Sequence, residues 1–319
     1  MTMSEKWYPT AAGESAIGVV EPPPARTGVA TASTHHGEIL QGMFEDADGR
    51  LHRGLLTMPC DLYRTRATYT PVNLPSVVVR QTDKVKARRA AEETLAVLGW
   101  PCTGGYLDLR GEVPASRGFG SSTSDVLAAI RAVADAFGCA LPDWLVAQLA
   151  VRAETASDSL MFGDNTVLFA QREGIVLEDF GRRLPRLAAV GFGTSSTGSG
   201  VDTLALRPAD YGPWEIARFR ELRAQLRVAL AAGDAAGLGA VATASAEINQ
   251  RHLPVPGFDR ITALVRRTGA VGLQTAHSGD IASLLFDAAQ PDHRRRCELA
   301  RRLLAGIGVD DVWLFTTGG

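Results

Sequence analysis

Residues 114–125 read Pro-Ala-Ser-Arg-Gly-Phe-Gly-Ser-Ser-Thr-Ser-Asp and run straight into the apolar stretch Val126 to Ala134. A glycine- and hydroxyl-rich loop that opens an apolar helix is suited to binding an anion. Gly118 and Gly120 let the backbone approach a ligand closely, and the unpaired amides and positive dipole end of the first helical turn face it. Phosphate is the natural occupant. Ser121, Ser122 and Thr123 add hydroxyls for phosphate oxygens or a divalent cation, and Arg117 adds a fixed positive charge. The same residues also describe a plainly capped helix. No G-x-x-x-x-G-K-[ST] string occurs, and no G-x-G-x-x-G follows a strand.

The elements that would hold this loop follow from periodicity. Alternation over 62–69 and 76–80 predicts strands, and a helix follows over about 83–98. Helices are expected at about 122–137 and 142–155. Strands over 175–177 and 187–192 would close a first, mixed α/β half. After a Gly/Ser/Thr-rich loop at 193–200, with the composition of a hinge or lid, come helices at about 213–232, 234–250 and 257–267, strands at 272–275 and 281–286, a helix at 291–305 and a last strand over 309–316. Residues 1 to about 27, with Pro22-Pro23-Pro24, read as a flexible arm. Two α+β halves packed together would leave a ligand cleft between them.

The 114–125 loop resembles the second motif of the GHMP small-molecule kinases (galactokinase, homoserine kinase, mevalonate kinase). Ser33-Thr34-His35-His36-Gly37-Glu38-Ile39-Leu40-Gln41-Gly42 resembles their first motif, and Thr275 to Phe286, with Ala276-His277-Ser278-Gly279, their third. Within that family, Gly37 to Gly42, Ser121 to Asp125, Glu154 to Phe162, Val201-Asp202-Thr203 and Ala276 to Gly279 resemble the L-threonine kinases of cobalamin side-chain synthesis in order and spacing. The resemblance spans roughly residues 28–290. There are departures: His36, beside His35, stands where a small residue is common, Arg117 where Lys is frequent, and the segment before Asp158 carries extra residues. The resemblance implies a two-domain GHMP-kinase-like α+β fold, with an N-terminal domain at 28–192 (mixed α/β, like domain 2 of ribosomal protein S5) and a ferredoxin-like C-terminal domain at 193–319. The active site would lie in the cleft between them.

What the resemblance implies for the site is an ATP- and Mg²⁺-dependent transfer of phosphate to the hydroxyl of a small amino acid, foremost L-threonine. Serine, homoserine and a modified hydroxy acid are the alternatives, and a non-catalytic sensor on the same fold is the rival of another class. The nucleotide would meet Pro114, Ser116, Gly118, Gly120, Ser121, Ser122, Thr123, Ser278 and Gly279, with Ser122 and Glu154 as the metal ligands. Asp158 and Asp164 compete to hold the acceptor hydroxyl, Asp158 being preferred, and Arg117 would assist. A carboxylate near its ordinary pKa of about 4 is a weak base for an alcohol, and in a loose transition state the proton can leave late. Glu38 or Asp202 would take the ammonium, with Gln41 and Thr203 around the carboxylate and hydroxyl; His36 and His277 complete the substrate side. A zinc site from His35 and His36 is not expected, because neighbours on a strand point to opposite faces.

Composition agrees. With 33 Lys+Arg against 35 Asp+Glu the net charge is −2, so no basic field marks a nucleic-acid or membrane partner. No apolar run approaches the roughly 20 residues of a membrane span. Four scattered cysteines form neither a zinc spacing nor a disulfide framework, so a cytoplasmic location is expected. A homodimer is compatible with such a chain.

Overall fold

The structure, a computed structural model, describes residues 26–195 and 209–318. The expected arm, apart from Arg26 and Thr27, lies outside the described residues, as do Asp202, Thr203 and most of the 193–200 loop. Two long strands, β1 (Gly28–Glu45) and β2 (Leu51–Val72), form an antiparallel hairpin. At its turn, Asp46 Oδ1 accepts from the backbone N–H groups of Asp48 and Arg50. The hairpin is followed by β3 (Val77–Val79), α1 (Val85–Val97), β4 (Gly104–Arg110), α2 (Ser121–Ala136), α3 (Asp143–Glu154), a 3₁₀ turn at Leu160–Phe162, β5 (Val167–Ala170) and β6 (Ile175–Asp179). The remaining elements are β7 (Leu187–Gly193), α4 (Pro213–Ala232), α5 (Ala235–Asn249), α6 (Phe258–Thr268), β8 (Gly272–Thr275), β9 (Ile281–Asp287), α7 (His293–Ala305) and β10 (Val312–Thr317).

The strands form one curled sheet in the order β10-β7-β9-β8-β1-β2-β4-β3, with β5 pairing to β2 and β6. On the first half, α2 is apolar nearly all round, as a central helix must be. Val126 to Ile130 are fully buried among α1, α3 and the β1–β2–β4 face. On the second half the layer is covered on both faces. Leu187 and Ala189 of β7 join the core under α4 and α5, while Ala188, Val190 and Phe192 join the core under α6 and α7. Burial on both faces explains why β7 is a continuous apolar run rather than an alternating one. The sequence reading set this strand at the close of the first half. It instead hydrogen-bonds to β9 and β10, whose partner residues lie 88–100 and 120–130 positions further along the chain.

The two halves join through β1. Its pairing with β2 slips between Ser33 and Thr34 and again on each side of Glu38, and at Glu38 it meets β8 opposite Thr275. A bulged strand twists and re-aims its side chains. Here the irregularity falls on the first motif.

Candidate active site

Three segments remote in sequence interlock at this bulge. The His35 N–H donates to the Phe119 carbonyl (3.2 Å), the Gly37 N–H to the Gly118 carbonyl (3.1 Å) and the Asp280 N–H to the Arg117 carbonyl (3.0 Å). Gly120 is the N-cap of α2 in the left-handed region (φ 67°), and a Cβ there would overlap the His35 ring. Gly118 (φ 101°) packs against Ala276, where a Cβ would come within 2.7 Å of the alanine methyl. Both glycines are therefore required twice, by backbone angle and by contact.

At the N-terminus of α2 a chain of polar groups begins. Ser122 Oγ donates to Glu154 Oε2 (2.6 Å), while Thr123 Oγ1 lies 2.9 Å from Glu154 Oε1 and 3.1 Å from Asp158 Oδ2. Asp158 Oδ2 in turn meets His35 Nε2 at 2.9 Å, and His35 Nδ1 lies 3.2 Å from the Gly37 carbonyl. Glu154 ends α3, and the next residue, Thr155, takes φ 73°, a strained angle for a β-branched residue. That break turns the chain so that, four residues on, Asp158 returns to Thr123.

The electrostatics follow from burial and neighbours. Burial pushes the Glu154 carboxyl up to about 7; the hydroxyls of Ser122 and Thr123 oppose this and the charge of Asp158 adds to it. Burial alone would lower His35, but Asp158 beside it, with Glu38 and the Gly37 carbonyl, raises it to about 9. Burial would likewise raise Asp158, yet the imidazole of His35 and the Thr123 hydroxyl hold it below the usual carboxylate range. His36 points to the other face of β1. It stacks on Phe315 (4.6 Å between centroids), with Nδ1 3.1 Å from Gln274 Oε1, and burial lowers it to about 3.

On the acceptor side, the His277 N–H donates to Glu38 Oε2 (2.9 Å), its Nδ1 lies 3.3 Å from the same oxygen, and its Nε2 is 3.4 Å from Ser245 Oγ. The Gln41 N–H also donates to Ser245 Oγ (3.2 Å). Ser278 is exposed at the turn, whereas Gly279 is pressed against the Arg117 carbonyl. A recess of about 200 Å³ outside the loop is lined by Lys84, Lys86, Ser121, Ser122 and Asp125. Lys84 is tied to Asp125 (2.8 Å), while Lys86 has no ion-pair partner among the described residues.

Some expected residues stand elsewhere. Arg117 does not offer an open charge: its Nε and Nη2 go to Asp280 (3.0 Å) and Asp311 (2.8 Å), and its guanidinium lies over Trp313. Asp164 pairs with Arg183 (3.1 Å) in a second recess of about 350 Å³ and is 73% exposed, unlike the buried Asp158 cluster. His36 is buried behind the motif among aromatic rings. Pro114 and Ser116 lie on the loop, Ser116 with φ 60°. His35, which lies in the motif expected to touch substrate but was given no role there, sits at the centre. The signal available was the pair of adjacent histidines directly before the first-motif glycine.

Comparison with known proteins gives the class. Residues 85–171 match the GHMP kinases N terminal domain. The fold is that of the homoserine kinase from Cytophaga hutchinsonii, with a TM-score of 0.66 at 15% identity over 92% of this chain and 95% of that one. Residues 85–171 thus carry the GHMP kinase N-terminal domain, and the chain is an ATP-dependent phosphotransferase that acts on a hydroxyl. Among individual proteins it is similar to the L-threonine kinase of Salmonella typhimurium, at 27% identity over 86% of this chain and 85% of that protein. It is also similar to the L-threonine kinase of Citrobacter freundii, at 29% identity over 58% and 64%. No helix among the described residues is long and apolar enough to cross a membrane.

Proposed function

We propose that this chain transfers the γ-phosphoryl group of ATP to the hydroxyl of L-threonine, giving O-phospho-L-threonine, with Mg²⁺ held by Ser122 and Glu154. The observation that carries the reading is the polar chain Ser122–Glu154–Thr123–Asp158 at the N-terminus of α2. Its donors are hard oxygens, and the buried Glu154 carboxylate has no cationic partner among the described residues. Such a site suits a cation that keeps waters and phosphate oxygens as its other ligands. When bound, Mg²⁺ would neutralise charge on the β- and γ-oxygens.

The chain's own groups supply the rest. The amides of Ser121 to Thr123, with Lys86 across the 200 Å³ recess, receive the phosphates. Asp158, held ionised, orients the acceptor hydroxyl in line and takes its proton late. Glu38 takes the substrate ammonium. The similarity to two L-threonine kinases supports threonine as that substrate. All four cysteines are free thiols, in keeping with the cytoplasm we assign.

Steady-state ATP turnover on threonine, serine and 3-hydroxybutyrate tests this. Threonine should exceed serine by about 1–3 kcal/mol, the worth of one methyl group, while loss of the amine should nearly abolish turnover through unpaired buried partners. Asp158→Asn should reduce turnover far more than Asp164→Asn. Equal use of the three acceptors would sink the amino-acid assignment.

A further inference from the structure

The His35 ring is 2% exposed and both of its nitrogens face acceptors. A backbone carbonyl has no hydrogen to give, so the Gly37 contact requires N–H at Nδ1. The ionised Asp158 carboxylate has no hydrogen to give either, so the Nε2 contact calls for N–H there too. The only form of the ring that satisfies both is the imidazolium. Asp158 lies close enough to Glu154 for one threonine hydroxyl to reach both carboxylates. Two such groups in one buried site repel, and one would take a proton unless a cation stands beside them.

We infer that His35 is the positioning residue for Asp158, an imidazolium built into the floor of the phosphate cradle that fixes this carboxylate toward the acceptor. The contact is made through Oδ2, which leaves Oδ1 without a hydrogen bond to the described residues and free for the substrate hydroxyl. Every element around the ring contributes to holding it. The Phe119 carbonyl takes its backbone N–H, the Gly120 Cα lies under its edge where no side chain fits, and Glu38 adds negative charge. Lys86, on α1, acts on Asp158 from the solvent side. The elevated pKa of His35 and the lowered one of Asp158 agree with the geometry. This cation comes from the first motif, whereas Arg117 of the 114–125 loop supplies none, because that guanidinium is spent on Asp280 and Asp311.

The inference rests on Asp158 as the acceptor-orienting group, so it is tested by two independent measurements. The first is the ring-nitrogen NMR signal of His35 in the whole protein at pH 7.5. It should show both nitrogens protonated, and Asp158→Asn should return the ring to a neutral tautomer. The second is a kinetic cycle with whichever acceptor the wild type turns over. His35→Ala should lower kcat about a hundredfold, with the KM for ATP changed less than about threefold, the pattern of a misaligned group that acts in the transition state. His35→Gln, which keeps a neutral donor toward Asp158, should fall between. In the Asp158→Asn background, His35→Ala should cost less than about threefold more, because a residue that acts through another loses its effect with it. A neutral ring in the wild type, or a full second loss in the double variant, would overturn the inference. Failure to phosphorylate any amino acid would count against the substrate reading alone, since the NMR result decides on His35 without turnover.

Discussion

Gly120→Ala is the sharpest test of how the cradle is built. The substitution places a methyl group on a residue at φ 67°, inside the space of the His35 ring and 3.3 Å from Asp158 Oδ2. The backbone term for a left-handed alanine is about 1–2 kcal/mol. The overlap adds about 1–3 kcal/mol, the usual range for overpacking, because the ring is anchored at both nitrogens and cannot swing aside cheaply. The total is about 2–5 kcal/mol. Gly49→Ala separates the terms, since its φ is also positive (79°) but nothing lies within 4 Å of the added Cβ. That control should lose only about 1–2 kcal/mol and keep full activity. Urea unfolding of both variants, alone and in the His35→Ala background, measures the difference. With the ring removed, Gly120→Ala should cost no more than Gly49→Ala. In the wild-type background it should also slow turnover about a hundredfold or more, the scale of a 1 Å misplacement in an active site. Equal stability losses for the two glycines in the wild-type background would refute the packing argument, whatever the kinetics showed.

Glu154→Gln should lower turnover by about two orders of magnitude or more while the protein folds normally. Its carboxyl titrates near 7 in the fold against about 4.5 when free, so its stabilising contribution is complete at low pH and lost as pH rises through 7. In the absence of divalent cation the variant should therefore be more stable than the wild type at pH 8, and a wild type more stable there would remove Glu154 from the buried site. His36, lowered to about 3, has the opposite dependence: the unfolded chain binds a proton that the fold refuses, so stability falls as pH drops below 6.5, by at most about 1.4 kcal/mol per unit. His36→Phe, which keeps the stack on Phe315, should flatten that slope in denaturant titrations from pH 7 to 5; identical slopes would show that the ring is not buried neutral.

The helices were legible because their signal is local. The runs at 122–137 and 213–232 match α2 and α4 to within about two residues, since the 3.6-residue period and the flanking glycines are both in the string. The cradle was legible for the same reason. Strand partners were not: nothing near residues 187–193 records that their partners begin at 281 and 312. Arg117 illustrates the same limit, as the carboxylates that hold it lie 163 and 194 residues away. The histidine pair was half legible. Alternation says that His35 and His36 diverge, but the slips in register at Ser33 and Glu38 decide which of them enters the cleft, and a bulge has no composition of its own.

The distances along the chain between the interlocked segments bear on when the protein acquires activity. His35 meets Asp158 across 123 residues, Arg117 meets Asp280 across 163, and Glu38 meets His277 across 239. Long-range closures of this kind come late in folding, after the local helices and hairpins have formed. During synthesis the cradle glycines emerge well before Ala276 and Gly279, the residues that brace them. A nascent or truncated chain therefore presents a loose loop at α2 rather than a working phosphate site. Appearance of activity in a refolding experiment would then report the last docking event, that of β8 and β9 against the first motif.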